Sequence, residues 1–200
     1  MTPALLLGVL EEARQAGFLG PGPVTRHVEL AGAFVAAAPP PAWGVDLGSG
    51  GGVPGLVLAQ AWPDSRWVLL DRSARRTAFL RRAVVRLGWT HRVEVRTGDA
   101  ELTGTDPDHR GRHDLVVARS FGPPAVTAEC AAPMLQVGGR LVVSEPPDTD
   151  PDRWPSASLA ELGLAARRVV PAPARVQVLE QVAACPGRFP RRTAAKRPLW

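Results

Sequence analysis

Short apolar runs alternate with longer amphipathic segments along this 200-residue chain. Apolar runs of this length are typical of buried strands, and apolar positions three or four residues apart are typical of helices. The pattern predicts strands at 43–47, 66–71, 92–96, 113–118, 139–144, 165–170 and 175–184. It predicts helices at 3–17, 25–37, 54–61, 74–87, 123–135 and 156–163. Because strands that alternate with helices form right-handed βαβ units, we expect an α/β fold with a mostly parallel seven-stranded sheet and helices on both faces.

The two ends of the chain depart from this alternation. Two helices precede the first strand, and the prolines at 39–41 end them because proline cannot continue a helix. The last two strands have only a short helix ahead of them, which predicts an antiparallel hairpin at the end of the sheet. We therefore expect a single domain, with a short helical leader at 1–40, a sheet domain at 41–185 and a tail at 186–200.

The composition excludes several classes of protein. Apolar residues make up 45% of the chain, which disfavours disorder, and no apolar run is long enough to cross a membrane. The two cysteines, Cys130 and Cys185, are far apart and have no His or Cys at ligand spacing. This argues for a reducing, cytoplasmic location and against a disulfide framework or a zinc site. We expect a monomer with neither a metal nor a membrane partner.

The positive charge of the chain is concentrated in its tail. Residues 181–200 carry five basic side chains and no acidic one, and this +5 equals the net charge of the whole chain. Such a tail can contact nucleic-acid phosphates, or it can be a solvated segment that aids solubility. Arginines also crowd the predicted helix that follows Ser73, where a solvated helix surface is the more common interpretation.

A glycine-rich turn after the first predicted strand is the main candidate for chemistry. Gly48, Gly50 and Gly52 follow Asp46, and such glycines let backbone N–H groups approach a nucleotide-like ligand. The spacing Gly50-x-Gly52-x-x-Gly55 also matches the dinucleotide fingerprint. A carboxylate beside the turn would repel a pyrophosphate, whereas it suits the sulfonium and α-ammonium groups of S-adenosylmethionine. The methyl donor is therefore the favoured ligand.

Two further acids follow the second and third predicted strands. Asp71 can accept both ribose hydroxyls of an adenosine cofactor, or it can cap the helix that follows Ser73. Asp99 can accept from an adenine amine, or it can be a plain loop acid. The favoured interpretation places both carboxylates in one adenosine site.

Several segments of the sequence resemble a known family. They are 45–55, 69–73, 117–121, 134–141 and 189–199, and the pair Arg26-His27 precedes the first strand. The chain from about residue 26 to its end thereby resembles the bacterial methyltransferases of small-subunit (16S) ribosomal RNA that modify guanine N7, also called glucose-inhibited division protein B. The most specific parts of the match are Pro54-Gly55 after the turn, Ala-Arg-x-Phe after the fourth strand and the Pro-Arg-Arg tail.

The resemblance implies a class I methyltransferase of Rossmann-like fold that uses S-adenosyl-L-methionine and releases S-adenosyl-L-homocysteine. The implied cofactor-binding residues are Asp46, Gly48, Ser49, Gly50, Gly52, Pro54, Asp71, Asp99, Ala100 and Arg119. The implied catalytic residues are Arg119, which would orient the base or a phosphate, and Phe121, which would stack on a base. Alternatively, Arg119 forms a salt bridge with a strand-end acid.

The resemblance also implies a partner, namely ribosomal RNA or the small ribosomal subunit. The implied RNA-binding residues are Arg26, His27, Arg191, Arg192, Lys196 and Arg197. Guanine N7 already carries a free lone pair, so its methylation depends on positioning and requires no general base. The absence of an obvious acid–base dyad agrees with that chemistry.

The sequence departs from the family pattern on the substrate side. Ser144-Glu145 stands where the fifth strand of the family leads into a Lys-Gly pair, and a charge reversal there is expected to hinder binding of RNA phosphates. The segment after Arg26-His27 also differs, and the leader is shorter. Two alternatives follow: a diverged paralogue that methylates another RNA or a small molecule, and a cofactor-binding, RNA-associated protein without turnover.

Overall fold

The structure is a computed structural model that describes residues 3–148, 150–192 and 194–200. Its strands are β1 (Trp43–Leu47), β2 (Arg66–Asp71), β3 (Val93–Thr97), β4 (His113–Ala118), β5 (Leu135–Ser144), β6 (Leu164–Val170) and β7 (Val176–Gln181). Its α-helices are α1 (Pro3–Gln15), α2 (Val24–Ala37), α3 (Gly55–Ala61), α4 (Ala74–Arg86), α5 (Ala100–Thr105), α6 (Pro124–Ala131) and α7 (Ser156–Glu161). Short 3₁₀ turns occupy Ala132–Met134 and Pro151–Arg153.

The strands form one seven-stranded sheet in the order β3-β2-β1-β4-β5-β7-β6. Strands β1 to β5 are parallel, and β7 pairs antiparallel with both β5 and β6. The predicted fold, a Rossmann-like sheet with a closing antiparallel hairpin and a helical leader, is confirmed. Strand order reverses between β1 and β4, and at such a switch point the carboxyl ends of the strands open a crevice for ligands.

Two hydrophobic cores cover the sheet, one on each face. Successive side chains of a strand point to opposite faces, so Leu69 packs with α1 to α4, whereas Val68 and Leu70 pack with α5 to α7. Phe34 of α2 and Phe189 of the tail are among the largest fully buried side chains, and they lie in different cores. The tail is therefore part of the fold.

Two arginines anchor the tail. Arg110 donates to the backbone carbonyls of Gly104, Cys185, Pro186 and Phe189 at 2.8 to 3.1 Å. Arg191 donates from its backbone N–H and its guanidinium to the carboxylate of Glu129, a fully buried residue on α6. These contacts hold the basic tail against the face of the sheet that carries α5 and α6.

Three elements differ from the prediction. Helix α5 occupies residues 100–105, and the apolar pattern misses it because six residues span less than two helical turns. Helix α6 ends at Ala131, close to Pro133, rather than at 135. Strand β5 begins at Leu135 rather than at 139, and its register against β4 shifts around the Gly138 turn.

The two cysteines are unpaired. Cys130 is buried, and Cys185 is half-buried. Within the described residues, no helix combines the length and the apolar character needed to cross a membrane.

Candidate functional site

The turn between β1 and α3 is built on three glycines with positive φ. The angle is 75° at Gly48, 55° at Gly50 and 94° at Gly52. Glycine adopts this left-handed backbone at no steric cost, whereas other residues are strained in it. At Gly52 a Cβ would also overlap the side chain of Leu56. Backbone conformation and packing therefore both require glycine in this turn.

Two carboxylates hold the turn from the ends of β1 and β2. Asp46 Oδ2 accepts from the N–H of Gly55 at 2.9 Å. Asp71 accepts from the N–H of Gly50 at 2.9 Å and from the N–H of Ser73, the N-cap of α4, at 2.8 Å. Asp71 therefore joins the turn to the next helix, whose N-cap is Ser73 rather than Asp71. Its contact with ribose hydroxyls stays a prediction.

The remaining predicted residues of the turn support its shape. Ser49 donates its hydroxyl to the backbone carbonyl of Asp46 at 2.8 Å. Pro54 directly precedes α3 as its N-cap residue. Both residues therefore fix the path of the chain from β1 into α3.

The carboxyl group of Asp46 lies beneath the turn. Burial raises the pKa of Asp46 to about 7, against the opposing effects of the Gly55 N–H and the Arg119 charge. Its Oδ1 atom is buried and has no hydrogen-bond partner among the described residues. A nearby positive charge would favour the ionised form. Asp46 is not among the described residues that line the adjoining cavities, so its direct contact with a methyl donor stays a prediction.

The first cavity at this edge of the sheet has a volume of about 320 Å³. It is lined, among others, by Gly48, Asp71, Asp99, Ala100, Val126 and Ala195. The structure thus brings together the two acids predicted for an adenosine site. Val126 from α6 and Ala195 from the tail complete the walls, and neither position carries a sequence motif that could have identified it.

The second cavity, of about 430 Å³, lies on the other side of the turn. It is lined, among others, by Phe18, Leu19, His27, Gly50, Arg119 and Ser120. Gly48, Arg76 and Ser120 line both cavities, so the two spaces adjoin around the turn. Ligand sites in proteins typically have volumes of roughly 300 to 1,000 Å³, and these cavities fall within that range.

The loop between α1 and α2 covers the glycine turn. At Gly51 a Cβ would lie 2.7 Å from the side chain of Leu19 and 2.9 Å from the backbone oxygen of Phe18. The Phe18 ring packs edge-on against Phe79 of α4, with 5.6 Å between the ring centroids, and Arg75 lies over it. This loop was not among the predicted site elements, because its apolar residues show no periodicity.

Arg119 lines the second cavity and directly precedes Ser120, which lines both. His27 Nε2 is 3.1 Å from the backbone oxygen of Gly20, and His27 Nδ1 is 3.5 Å from Arg119 Nη1. A carbonyl oxygen only accepts, so Nε2 carries the proton and Nδ1 presents a lone pair to Arg119. Burial lowers the pKa of Arg119, and the charge of Asp46 opposes this effect. His27, predicted to contact RNA, is a buried residue beside Arg119.

The two residues after Arg119 complete the junction. Ser120 has a φ of 55°, a left-handed conformation that is uncommon outside glycine and is often found at functional sites. The Phe121 ring packs on Gly48, where a Cβ would lie 2.8 Å from it. The turn after β4 therefore holds both predicted catalytic residues against the glycine turn.

The third cavity, of about 300 Å³, lies beyond Phe121 and is lined by Ser120, Phe121, Ser144, Glu145, Arg153 and Trp154, among others. The side chain of Glu145 is only 1% exposed, with Oε2 2.9 Å from Arg153 Nε. Its Oε1 accepts from the indole N–H of Trp154 at 2.8 Å. The expected charge reversal is therefore enclosed in an ion pair. The roles of Arg153 and Trp154 were not predicted, because both residues lie between the predicted strand at 139–144 and the predicted helix at 156–163.

The predicted RNA-binding residues fall into two groups. Arg192, Lys196 and Arg197 are exposed on the tail, and Arg26 is an exposed residue that pairs with Glu29 at 2.8 Å. In contrast, His27 is buried, and the guanidinium of Arg191 is occupied by Glu129. The surface available to a nucleic acid is thus carried by the first group.

Comparison with known proteins places the chain in a family. The model of the family described as rRNA small subunit methyltransferase G matches residues 33–145, more than half of the chain. The chain belongs to this family. The matched residues of the rRNA small subunit methyltransferase G family include β1 to β5, the glycine turn and the Arg119–Phe121 segment.

Curated relatives carry the same name. A ribosomal RNA small subunit methyltransferase G from Prochlorococcus marinus (strain MIT 9313) is 46% identical over 99 residues, which cover 50% of this chain and 40% of the relative. The one from Rubrobacter xylanophilus is 34% identical over 167 residues, which cover 77% of this chain and 64% of the relative. The chain therefore spans between 40% and 64% of the length of these two members of the family.

Solved structures agree with the fold. A methyltransferase from Geobacter sulfurreducens superposes with a TM-score of 0.63 at 18% identity, and the match covers 91% of this chain and 90% of that one. At this level of identity the likeness supports the fold alone.

Proposed function

We propose that the chain is an S-adenosylmethionine-dependent methyltransferase that modifies guanine N7 in small-subunit ribosomal RNA. The observation that carries the proposal is the pair of adjoining cavities around the glycine turn. Asp71 and Asp99 line the first of these cavities, and Arg119 lines the second. Membership of the rRNA small subunit methyltransferase G family supports both the reaction and the class of substrate.

The residues of the crevice fit an adenosine-containing methyl donor. Asp71 would accept the ribose hydroxyls and Asp99 the adenine amine, while Ala100 and Val126 provide apolar walls for the base. The glycine turn is a cradle that a Cβ would disrupt at Gly52. The buried, unpartnered Oδ1 atom of Asp46 provides negative charge beneath the turn. When bound, S-adenosylmethionine supplies an electrophilic methyl group on its sulfonium.

The residues at the junction act on the substrate by positioning it. Arg119, between Asp46 and His27, would hold an oxygen of the base or of a phosphate. Phe121 offers a ring on which a base can stack. Phe18 and Leu19 cover the turn and exclude water from it. Because guanine N7 is already nucleophilic, orientation and exclusion of water are sufficient, and no side chain has to remove a proton.

The exposed basic residues of the tail would bind the phosphates of the RNA. Arg192, Lys196 and Arg197 lie on the same tail whose Ala195 lines the first cavity. Phosphate contacts from these side chains would hold the RNA across the crevice. With two unpaired cysteines and a ribosomal substrate, the cytoplasm is the compartment that fits this activity.

Methyl transfer to ribosomal subunits tests the proposal directly. Purified protein is incubated with radiolabelled S-adenosylmethionine and small subunits from a strain that lacks the modification. We expect label at guanine N7. Label only elsewhere would identify a diverged paralogue, and cofactor binding without label would identify a binding protein without turnover.

An Arg119→Ala variant tests the mechanism. We expect the rate of methyl transfer to fall roughly 100-fold, because a displaced base loses its alignment with the methyl group. The dissociation constant of the cofactor, measured by calorimetry, separates this loss of alignment from any loss of cofactor binding, and the transfer rates are compared at saturating cofactor. An unchanged transfer rate with intact cofactor binding would remove Arg119 from the mechanism.

A further inference from the structure

The third cavity opens onto the junction where methyl transfer is proposed. It shares Ser120 and Phe121 with the first cavity, and it shares Ser120 with the second. Its walls are formed by the turn after β4, the end of β5 with the residues that follow it, and the pair Arg153 and Trp154. A group in the third cavity would therefore lie next to a ligand that occupies the other two.

The third cavity has the surfaces that a planar base requires. Phe121, Pro124, Pro146 and Trp154 contribute apolar or aromatic faces to its walls. Unstacked RNA bases are recognised in proteins by stacking on such faces and by hydrogen bonds to their edges. A hydrated phosphate gains nothing from apolar walls. The lining thus favours a base over the sugar–phosphate backbone.

In this cavity, the guanidinium of Arg153 is held by an ion pair at its Nε and still has N–H donors available for a ligand. Its Nε lies 2.9 Å from the buried Glu145 carboxylate, and its backbone oxygen accepts from the indole N–H of Trp200 at 3.1 Å. Within the described residues, no hydrogen bond or ion pair engages its two Nη groups, and 32% of its side chain is exposed. A guanidinium has five N–H donors and no acceptor, so the four Nη donors can serve a ligand.

Because the Arg153 guanidinium can only donate hydrogen bonds, it favours a base that presents an acceptor to it. Guanine carries a carbonyl oxygen at C6, on the same edge as N7, whereas adenine carries an amine there. Adenine would therefore turn its own donor toward the guanidinium. The contact with the C6 oxygen would leave the lone pair of N7 unengaged.

We infer that the third cavity receives the guanine to be methylated, with Arg153 donating to its C6 carbonyl oxygen and thereby selecting guanine over adenine. This inference rests on the proposed function. Glu145 acts as a positioning residue, because it fixes the Nε end of the guanidinium and leaves the Nη end for the base. The same pair keeps the carboxylate from facing the RNA.

Base analogues at the target position test the inference. Guanine and inosine both carry the C6 oxygen, whereas 2-aminopurine keeps the purine rings and N7 but lacks it. We expect wild-type protein to methylate inosine within about threefold of guanine, and 2-aminopurine roughly 10- to 100-fold more slowly, as for the loss of one charge-assisted hydrogen bond. Equal rates on all three bases would overturn the inference while leaving the proposed function intact.

Two variants test whether Arg153 causes the difference in methylation rate between the bases. Arg153→Gln should lower the rates on guanine and inosine to that on 2-aminopurine, with cofactor affinity unchanged. Because the substitution also removes the cation beside the buried Glu145 carboxylate, we expect thermal stability to fall, and the rates are compared at a temperature where the variant is folded. Arg167→Gln is the matched control, because Arg167 pairs with Glu180 through Nε at 3.0 Å on β6, away from the three cavities; its rates should equal those of wild type. An equal loss on all bases in Arg153→Gln, with a shallower salt dependence of RNA binding, would identify a phosphate contact and overturn the assignment.

A measurement that needs no turnover separates this inference from the proposed function. The indole N–H of Trp154 donates to Glu145, so its NMR resonance reports on the third cavity, and it can be assigned by its loss in Trp154→Phe. With S-adenosylhomocysteine present, we expect guanosine monophosphate to shift this resonance and adenosine monophosphate not to. The shift should disappear in Arg153→Gln. No shift with the guanine nucleotide, or the same shift with both, would contradict the inference even if methyl transfer is observed.

Discussion

The two sides of the crevice are built in different ways. On the cofactor side, the contacts join residues close in sequence: Asp46 to Gly55 across 9 residues and Asp71 to Gly50 across 21. On the substrate side Arg119 lies beside His27 across 92 residues, and in the tail Arg191 reaches Glu129 across 62. The contact of Trp154 with Glu145, across 9 residues, is the local exception. The cofactor side is thus a local motif, whereas the other side depends on where the complete fold places distant segments.

This difference has a consequence for substitutions. A change on the cofactor side should act through the shape of the turn, because its glycines leave no space for a side chain. A change on the substrate side should act through individual charges, because its residues pair one to one. The following predictions test that contrast.

The largest effect is expected at Gly52. In Gly52→Ala the added Cβ would overlap Leu56, and the backbone is left-handed there with a φ of 94°. We expect the free energy of unfolding to fall by about 3 kcal/mol and cofactor affinity by roughly 100-fold. Thermal unfolding and calorimetry measure the two effects.

Gly98→Ala is the matched control for this prediction. Gly98 also lines the first cavity, but a Cβ there would meet no atom within 4 Å. We expect nearly wild-type binding and stability. If both alanine variants bound cofactor equally well, the glycine turn would not be the feature that shapes the site.

The next effect concerns two adjacent arginines of the tail. Arg191→Gln would leave the buried Glu129 carboxylate without its charged partner, which costs about 3 kcal/mol or more in comparable buried pairs. Arg192 is exposed, so Arg192→Gln should change the free energy of unfolding by less than about 0.5 kcal/mol. Urea unfolding gives both values, and similar midpoints for the two variants would refute the anchoring role of Arg191.

A smaller effect is expected from pH on the cofactor side. The pKa of Asp46 is raised to about 7, so this carboxyl is mostly neutral below that pH and mostly charged above it. The charged form attracts the sulfonium, and we expect the affinity for S-adenosylmethionine to fall roughly tenfold from pH 8 to pH 6. Protein stability should respond in the opposite direction, since a raised carboxyl pKa favours the folded state at low pH.

Two comparisons check the origin of this pH dependence. S-adenosylhomocysteine lacks the sulfonium charge, so its binding should depend less on pH. Asp46→Asn removes the titrating group and should flatten the profile for both ligands. A slope that persists in Asp46→Asn would assign the dependence to another group.

The smallest effect is expected in RNA binding. Arg192→Gln should reduce the slope of log affinity against log salt by about one, as expected for the loss of one phosphate contact. Arg191→Gln, studied at a temperature where it is folded, should leave that slope unchanged because its guanidinium already binds Glu129. Equal reductions in both variants would mean that Arg191 also reaches the RNA.

The sequence predicts the glycine turn and the acids beside it well because their determinants are local. Strand periodicity, the positive-φ glycines and an acid at each strand end all lie within short windows. The family resemblance grouped His27 and Arg191 with the RNA-binding residues. Folding places His27 beside Arg119, 92 residues away, and buries the partner of Arg191 in α6. Such pairings depend on tertiary packing between residues that are far apart in the chain, so no short segment of the sequence predicts them.

On the substrate side, the ion-pair partner of Glu145 could not be predicted from the sequence either. Glu145 was expected to repel RNA phosphates because Ser144-Glu145 stands where the family has a Lys-Gly pair. The 3₁₀ turn at Pro151–Arg153 brings Arg153 back to it, and neither the turn nor its partner follows from an apolar pattern in a proline-rich stretch. The chemistry of the third cavity therefore depends on one short turn.

The position of Trp200 has a practical consequence for handling the protein. Its indole N–H donates to the backbone of Arg153, and its ring packs edge-on against Trp154 with 6.3 Å between the centroids. Displacement of Trp200 would therefore disturb the backbone of Arg153 and the packing of Trp154, and with them the walls of the third cavity. Assays of RNA methylation are best made with protein in which Trp200 is left in place.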